Sequence, residues 1–117
     1  MEILVTNNPL VQAQYRGKAR VEFTDTDLLG VLIYVRNLTH KGHKLLTHPL
    51  SGSVKPNETF YKSVLITDAS NIPDEQSVSI IGECILTAQK FPQKNIPEQF
   101  KNDMQIVDFS LIESIQK

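Results

Sequence analysis

The stretch that decides the fold runs from Ala19 to Leu46 and reads ARVEFTDTDLLGVLIYVRNLTHKGHKLL. It opens with apolar and charged residues in alternation, which is typical of a strand. From about Asp27 to Lys41 the apolar residues recur at helical spacing, and Thr24, Asp25 and Thr26 just before them are favourable N-cap residues. Leu45 and Leu46 then predict a further short strand. A strand, a helix and a strand in this order indicate an α/β fold.

The flanking segments continue this alternation. Upstream, the apolar run Ile3–Val5 predicts a strand, and the following Asn-Asn-Pro favours a turn before one or two helical turns at 10–15. Downstream, the run SVLIT at 63–67 predicts a central strand, and the apolar stripe between Pro73 and Pro92 predicts a second long helix. The sequence therefore alternates strands and helices over most of its length.

The last segment fits two interpretations. Apolar residues recur there at spacings of three or four, which predicts a helix, and these residues are Phe100, Met104, Val107, Leu111 and Ile115. The stretch 105–111 also alternates as a strand would, so a short strand before the helix stays open. The apolar residues Ile106, Leu111, Ile112 and Ile115 exceed what one buried stripe needs, and this surplus is suited to closing a homodimer.

These elements predict one α/β domain over residues 1–117, folded as a small three-layer sandwich with a mostly parallel sheet flanked by helices. A chain of 117 residues is long enough to bury a substantial core. The single cysteine, Cys84, lies on the apolar stripe of the second long helix, so we expect a buried, unreactive thiol and no internal disulfide.

Charge and hydropathy exclude several classes of partner. Twelve basic and thirteen acidic residues leave the chain nearly neutral, whereas nucleic-acid-binding proteins usually carry a basic excess. No apolar run approaches the length of a membrane span, and no signal-peptide pattern precedes the first strand. We therefore expect a soluble, cytoplasmic protein that binds neither nucleic acid nor membrane.

Polar corners follow the first three predicted strands, with the sequences NNPL, TDTD and THPLSGS. Ligands of parallel α/β sheets usually bind outside the carboxyl ends of the strands. We therefore expect these corners to share one rim, with candidate site residues Asn7, Asn8, Asp25, Thr47, His48, Ser51 and Ser53.

The segment from His40 to Lys62 has the densest polar chemistry, with all three histidines and four lysines against one acid, Glu58. Within it, the Ser-Gly-Ser run at 51–53 offers hydroxyls and backbone amides to an anion, and Lys55 adds positive charge. This composition predicts a site for a small phosphate or carboxylate. The alternative is purely structural, with the serines capping turns and Asn57 and Glu58 satisfying loop backbone.

Two further interpretations of the histidines have less support. His40, His43 and His48 invite comparison with a zinc site, but their spacing matches no metal motif and no paired cysteines accompany them. His48 could act as a general acid or base with Ser51 or Ser53 as nucleophile, although no nucleophile-elbow motif is present. No Gly-rich nucleotide motif occurs either, and we predict no metal and no cofactor.

Two segments of this sequence resemble the GrdX-like family, whose members are encoded with glycine reductase. They are LVTNNPLV at 4–11 and HKGHKLLTHPLSGSVKPNETFYKSV at 40–64, with a weaker likeness in DFSLIES at 108–114. The chain departs from the family pattern at Phe60, where that pattern has a proline. The residues that match the loop and turn motifs are Asn7, Asn8, Thr47, His48, Ser51, Gly52, Ser53, Lys55, Asn57 and Glu58.

The resemblance implies an association with selenium-dependent reduction of glycine, or with related amino-acid reductases, in anaerobic bacteria. It implies no established catalytic activity. We therefore expect an accessory or regulatory protein whose loop 47–58 binds a small anionic metabolite or a glycine reductase component. The alternative is a small enzyme that acts on a phosphorylated or acylated metabolite, with His48 as acid or base.

Overall fold

The computed structural model describes residues 2–50, 60–68, 72–91 and 96–116. Strands and helices alternate through the first half, as the sequence predicts, and two helices close the chain. In order they are β1 (Ile3–Thr6), α1 (Pro9–Tyr15), β2 (Arg20–Phe23), α2 (Leu28–His40), β3 (Ser63–Ile66), α3 (Glu75–Lys90) and α4 (Glu98–Gln116). The fold is therefore mixed α/β, and the predicted short strand before the last helix does not form.

The three strands make one mixed sheet in the order β2-β1-β3. β1 is parallel to β2, with Leu4 opposite Val21, and antiparallel to β3, with Leu4 opposite Leu65. The prediction of a mostly parallel sheet was wrong, and the three-layer sandwich built on such a sheet is not supported.

The direction of β3 follows from how the chain reaches it. The strand predicted at Leu45 and Leu46 is reduced to an isolated antiparallel bridge between Leu45 and Ile66, supported by the Leu46 amide donating to the Leu65 carbonyl at 2.8 Å. This segment and β3 are neighbours joined at one end of the sheet, which imposes opposite directions on them. A parallel strand would have required a crossover to the other end.

Side-chain caps fix the helix ends close to their predicted positions. The Asp27 carboxylate accepts the Gly30 amide at the start of α2, and the Asp74 carboxylate accepts the Ser77 amide at the start of α3. Gly42 follows α2 with a φ of 105°, a left-handed conformation that glycine adopts readily and that commonly ends a helix. Local capping chemistry therefore determines these boundaries.

Each face of the sheet packs on a different pair of helices. Odd-numbered β1 residues and even-numbered β3 residues join α2 and α3 in the larger core, which contains Ile3, Val5, Leu28, Val31, Leu32, Val35, Val64, Ile66, Ile81, Cys84, Ile85 and Ala88. The opposite face joins α1 and α4 through Leu4, Val11, Leu65 and Ile112. Cys84 is buried, as predicted.

The buried side of α4 differs from the predicted apolar stripe. Phe100, Val107 and Ile115 are exposed, whereas Asp108 and Ile112 are buried. The helix is rotated in this way because Asp108 makes hydrogen bonds to the sheet, which a stripe of apolar residues could not make. No helix of the described part of the chain is long and apolar enough to cross a membrane.

Candidate functional site

Asn7, the first residue after β1, ties together two corners of the fold. Its side-chain amide donates to the Thr26 carbonyl at 2.8 Å and to the Phe60 carbonyl at 2.9 Å. Its side-chain oxygen accepts the Lys62 amide at 2.8 Å. The buried Asn7 therefore holds the corner after β2 and the chain entering β3 against the carboxyl end of β1.

Asn8 makes the corresponding connection to the helices. Its side-chain oxygen accepts the Leu10 amide at 3.0 Å and so caps α1. Its side-chain nitrogen donates to the Gln105 carbonyl at 2.9 Å and to Asp108 Oδ2 at 3.0 Å, both on α4. Asn8 is completely buried, and both atoms of its amide are used inside the protein.

Asp108 is the centre of a buried polar network. Its Oδ1 accepts the Ser63 amide at 3.0 Å, and its Oδ2 accepts the Ser63 hydroxyl at 2.7 Å. The Ser63 and Thr6 hydroxyls lie 2.7 Å apart, and Thr6 Oγ1 also accepts a hydrogen bond from the backbone amide of Asn8 at 3.0 Å. The network formed by Thr6, Asn8, Ser63 and Asp108, here called the rim network, therefore joins β1, β3 and α4 through hydrogen bonds alone.

Lys62 places a buried amine beside this network, with only 4% of its surface exposed. Burial lowers the pKa of Lys62, because a charged ammonium loses hydration there, while the Asp108 carboxylate acts in the opposite direction. Lys62 and Asp108 line one narrow crevice together with Thr47, His48, Ser63, Leu111, Ile112 and Ile115. The crevice has a volume of about 10 Å³, room for one water molecule and no larger ligand.

Thr47 and His48 lie on the chain segment that leaves the sheet here. The Thr47 hydroxyl accepts the Leu65 amide at 3.1 Å, which fixes this segment to β3. His48 is exposed, and its Nδ1 accepts the Leu50 amide at 3.2 Å. A neutral His48 in this arrangement carries its proton on Nε2, so it presents a hydrogen-bond donor to solvent.

A larger, open cavity of about 210 Å³ lies on the other side of this segment, between Lys44–His48 and the start of α3. Its wall includes Asp74, whose pKa is lowered because the Ser77 hydroxyl and amide donate to its carboxylate. Lys44 faces the same carboxylate and also lowers that pKa. The cavity thus carries charges of both signs and does not select for an anion.

The structure therefore places four of the predicted site residues, Asn7, Asn8, Thr47 and His48, where β1 ends and β3 begins. Asp25 is exposed in the neighbouring corner between β2 and α2. The other candidates lie outside the described residues, namely Ser51, Gly52, Ser53, Lys55, Asn57 and Glu58. Asn7 and Asn8 are fully engaged in holding the fold, whereas His48 faces solvent.

The sequence analysis missed three members of this region: Lys62, Ser63 and Asp108. One signal was available for Asp108, because it stands four residues after Met104 and four before Ile112 and so interrupts a helical apolar spacing with a charge. Lys62 directly precedes β3 and Ser63 is its first residue, and neither position gave a comparable signal. Their burial follows from the docking of α4, which local sequence does not specify.

Two of the three histidines have positions unrelated to this region. The His43 Nδ1 lies 2.7 Å from the Thr67 carbonyl, and His40 is exposed at the end of α2. Across residues 2–50, 60–68, 72–91 and 96–116, no three His, Cys, Asp or Glu side chains are grouped as a metal site would require.

Phe60, the position that departs from the expected family pattern, contacts two neighbours. Its ring packs edge-on against Tyr61 with 5.0 Å between centroids, and Lys101 Nζ of α4 lies 5.6 Å above it. A proline would lack this aromatic face. Phe60 is therefore held against α4 by an aromatic and cationic contact in this chain.

Comparison with known proteins identifies one family. The family model described as GrdX-like protein matches residues 3–117, which is nearly the full sequence and confirms the resemblance drawn from the two motifs. Searches of curated proteins and of solved structures give no match.

Proposed function

Because the chain belongs to the GrdX-like protein family, we propose that it is a cytoplasmic accessory or regulatory protein associated with glycine reductase, or with a related amino-acid reductase, in anaerobic bacteria. It binds a small anionic ligand or a reductase component through the 47–58 loop. It catalyses no reaction of its own.

The observation that carries this proposal is the anchoring of the described residues on either side of the loop, Thr47 before it and Phe60 with Lys62 after it. At the first end, the Thr47 hydroxyl accepts the Leu65 amide. At the second end, Asn7 accepts the Lys62 amide and donates to the Phe60 carbonyl. Such fixed ends reduce the conformational entropy that a loop loses when it binds a partner, which favours binding.

The chemistry of the loop favours an anion. Ser51 and Ser53 supply hydroxyl donors, and Lys55 supplies a positive charge. His48, at the first end, accepts the Leu50 amide through Nδ1, and its Nε2 then presents an N–H donor to solvent. Hydrogen bonds from such groups to a carboxylate or phosphate are stronger than neutral ones.

The state of the rim network favours binding over catalysis. Its carboxylate and hydroxyls already exchange hydrogen bonds with one another at 2.7 to 3.0 Å, and the crevice beside them has a volume of only about 10 Å³. His48 accepts the Leu50 amide through Nδ1, which leaves Nε2 protonated and unsuited to removing a proton from a substrate.

The first experiment is native mass spectrometry of the gently purified protein, followed by calorimetric titration with inorganic phosphate and with acetate, and by binding to purified reductase components. We expect the double variant Ser53→Ala with Lys55→Ala to weaken binding about tenfold or more, since it removes one charge-assisted and one neutral hydrogen bond. The melting temperature should not change. The matched control is Ser79→Ala with Lys90→Ala, the same substitutions at exposed positions of α3.

Unchanged affinity in the loop variant would exclude the loop as the binding site. Binding of none of these probes would overturn the proposal as a whole. The variant His48→Gln distinguishes a hydrogen-bond donor role of His48 from an acid or base role, because glutamine keeps an N–H donor but cannot transfer a proton as an acid or base. Retained binding in His48→Gln with loss in His48→Ala supports the donor role, whereas a turnover that only His48 sustains would establish the enzyme alternative.

A further inference from the structure

The outer edge of β2 is unpaired within the described part of the chain, because β2 stands at one end of the sheet order β2-β1-β3. The Thr24 amide donates to the Thr6 carbonyl at 2.9 Å, so Thr24 faces β1. Backbone groups of successive strand residues point to opposite edges, and Arg20 and Glu22 therefore also face β1. The amides and carbonyls of Val21 and Phe23 point outward, where another strand can pair with them.

We infer that this edge pairs with β2 of a second copy of the chain, antiparallel, about a two-fold axis that passes beside Val21. In this arrangement Val21 and Val21 of the partner subunit exchange both N–H to carbonyl hydrogen bonds. Such self-pairing is isologous, because each copy contributes the same surface, and it produces a closed dimer.

Backbone geometry restricts the register. Outward-facing residues must lie opposite outward-facing residues, which leaves axes beside Val21 or Phe23 with hydrogen-bonded central pairs, or beside Arg20 or Glu22 with non-hydrogen-bonded ones. An axis beside Arg20 or Glu22 brings two identical charges face to face, which is destabilising. An axis beside Phe23 places Glu22 opposite Thr24 and gains no ion pair.

Charge complementarity selects the axis beside Val21. There, Arg20 stands directly opposite Glu22 of the partner subunit, and the symmetry repeats this pair on the other side of the axis. These are non-hydrogen-bonded positions of the new ladder, where facing side chains approach most closely. The sequence Arg-Val-Glu is therefore complementary to itself in the antiparallel direction.

The Arg20 side chain is accessible for this pairing, and the Glu22 side chain is partly accessible. The side chain of Arg20 is 56% exposed and that of Glu22 is 23% exposed. Their own contact within the strand is long, at 3.4 Å, and such exposed pairs contribute little by themselves. The Tyr34 hydroxyl of α2 donates to Glu22 and holds its carboxylate beside the edge.

The exposed apolar residues of α4, which include Ile106 and Val107, form the other candidate surface for a second copy. Nothing in the described chain indicates what covers them. The β2 edge, in contrast, specifies its partner through both backbone geometry and charge, so the dimer is assigned to β2.

The test is a charge exchange followed by sedimentation velocity. The wild-type protein should sediment as a dimer, with twice the mass of the 13.2 kDa chain. Arg20→Glu and Glu22→Arg should each weaken the dimer by about tenfold or more, because each variant turns both cross-strand pairs from attractive to repulsive. An equimolar mixture of the two variants should recover the dimer mass, since the mixed pairs are again opposite in charge.

Recovery in the mixture shows that the single variants fold and fail only in pairing. Ile106→Lys is the control for the α4 surface and should leave the dimer intact. A monomeric wild-type protein would overturn the inference. A dimer that survives Arg20→Glu and Glu22→Arg, or one that Ile106→Lys dissociates, would overturn it as well.

Discussion

Removing the carboxylate of Asp108 tests whether the rim network holds α4 to the sheet. The change Asp108→Ala deletes an acceptor that three groups share. They are the Ser63 backbone amide at 3.0 Å, the Ser63 hydroxyl at 2.7 Å and the Asn8 side-chain amide at 3.0 Å. In this variant the Ser63 hydroxyl keeps its hydrogen bond with the Thr6 hydroxyl, and the Asn8 side-chain amide keeps its hydrogen bond to the Gln105 carbonyl. The Ser63 amide loses its acceptor while it stays buried.

The magnitude follows from these three bonds. One buried donor left without an acceptor costs about 1–3 kcal/mol, and each lost hydrogen bond to a charged acceptor costs about 1.5 kcal/mol or more. The orphaned Ser63 amide and the other two lost bonds together lead us to expect that Asp108→Ala lowers the free energy of unfolding by about 4–6 kcal/mol. Asp108→Asn keeps an acceptor for the Ser63 amide but turns an amide nitrogen towards Asn8, so it should cost about 1–2 kcal/mol.

Urea denaturation followed by circular dichroism measures the loss as a lower midpoint at an unchanged slope. The matched control is Asp103→Ala, which removes an exposed carboxylate from the same helix and should change stability by about 0.5 kcal/mol or less. A loss below about 1 kcal/mol in Asp108→Ala, or one equal to that of the control, would refute the assignment of the network as the attachment of α4.

Three further predictions concern two glycines in helices, the pH dependence of stability and the reactivity of the cysteine. Gly82→Ala in α3 adds a methyl group that meets no heavy atom within 4 Å, so it should raise the free energy of unfolding by about 0.5–1 kcal/mol. Gly30→Ala should lower the free energy of unfolding, because its methyl group overlaps the Thr26 side chain, and thermal melts compare the two variants. Burial lowers the pKa of Lys62 in the folded protein below its ordinary value of 10.5. Between the folded and unfolded pKa values the unfolded state binds more protons, so stability should rise with pH in that window. Urea midpoints at several pH values should show this rise in the wild type and not in Lys62→Met. Cys84 is 4% exposed, and burial raises the pKa of its thiol, so iodoacetamide should modify it only as fast as the protein unfolds. Rapid alkylation of the native protein would contradict the burial of Cys84.

Local patterns predicted the elements but not the direction of β3. The helices α2 and α3 followed from their apolar spacing, because amphipathicity depends on residues close in sequence. Their N-caps, Asp27 and Asp74, had been expected inside the first helical turn. The direction of β3 depends on which end of the sheet the chain has reached after Thr47, which no local pattern records. The expected parallel sheet was wrong for that reason.

The candidate site shows the same division between local and long-range information. Asn7 and Asn8 were predicted as site residues from their position after β1, which is local information. In the fold Asn7 contacts the Lys62 amide and Asn8 contacts Asp108. The role of Asp108 depends on a contact with Asn8 across 100 residues of sequence. The charge at position 108 interrupts the apolar spacing of α4, but the sequence of α4 alone does not show which distant partner buries it.

The bond between Asn8 and Asp108 also has a consequence for synthesis on the ribosome. The end of β1 leaves the exit tunnel long before α4 is made, because translation proceeds from the N-terminus. Until α4 arrives, Asn8 and Ser63 lack the carboxylate partner that the finished fold gives them. Docking of α4 must therefore wait until Asp108 has been made, and premature termination upstream of Asp108 should leave chains that quality-control proteases remove.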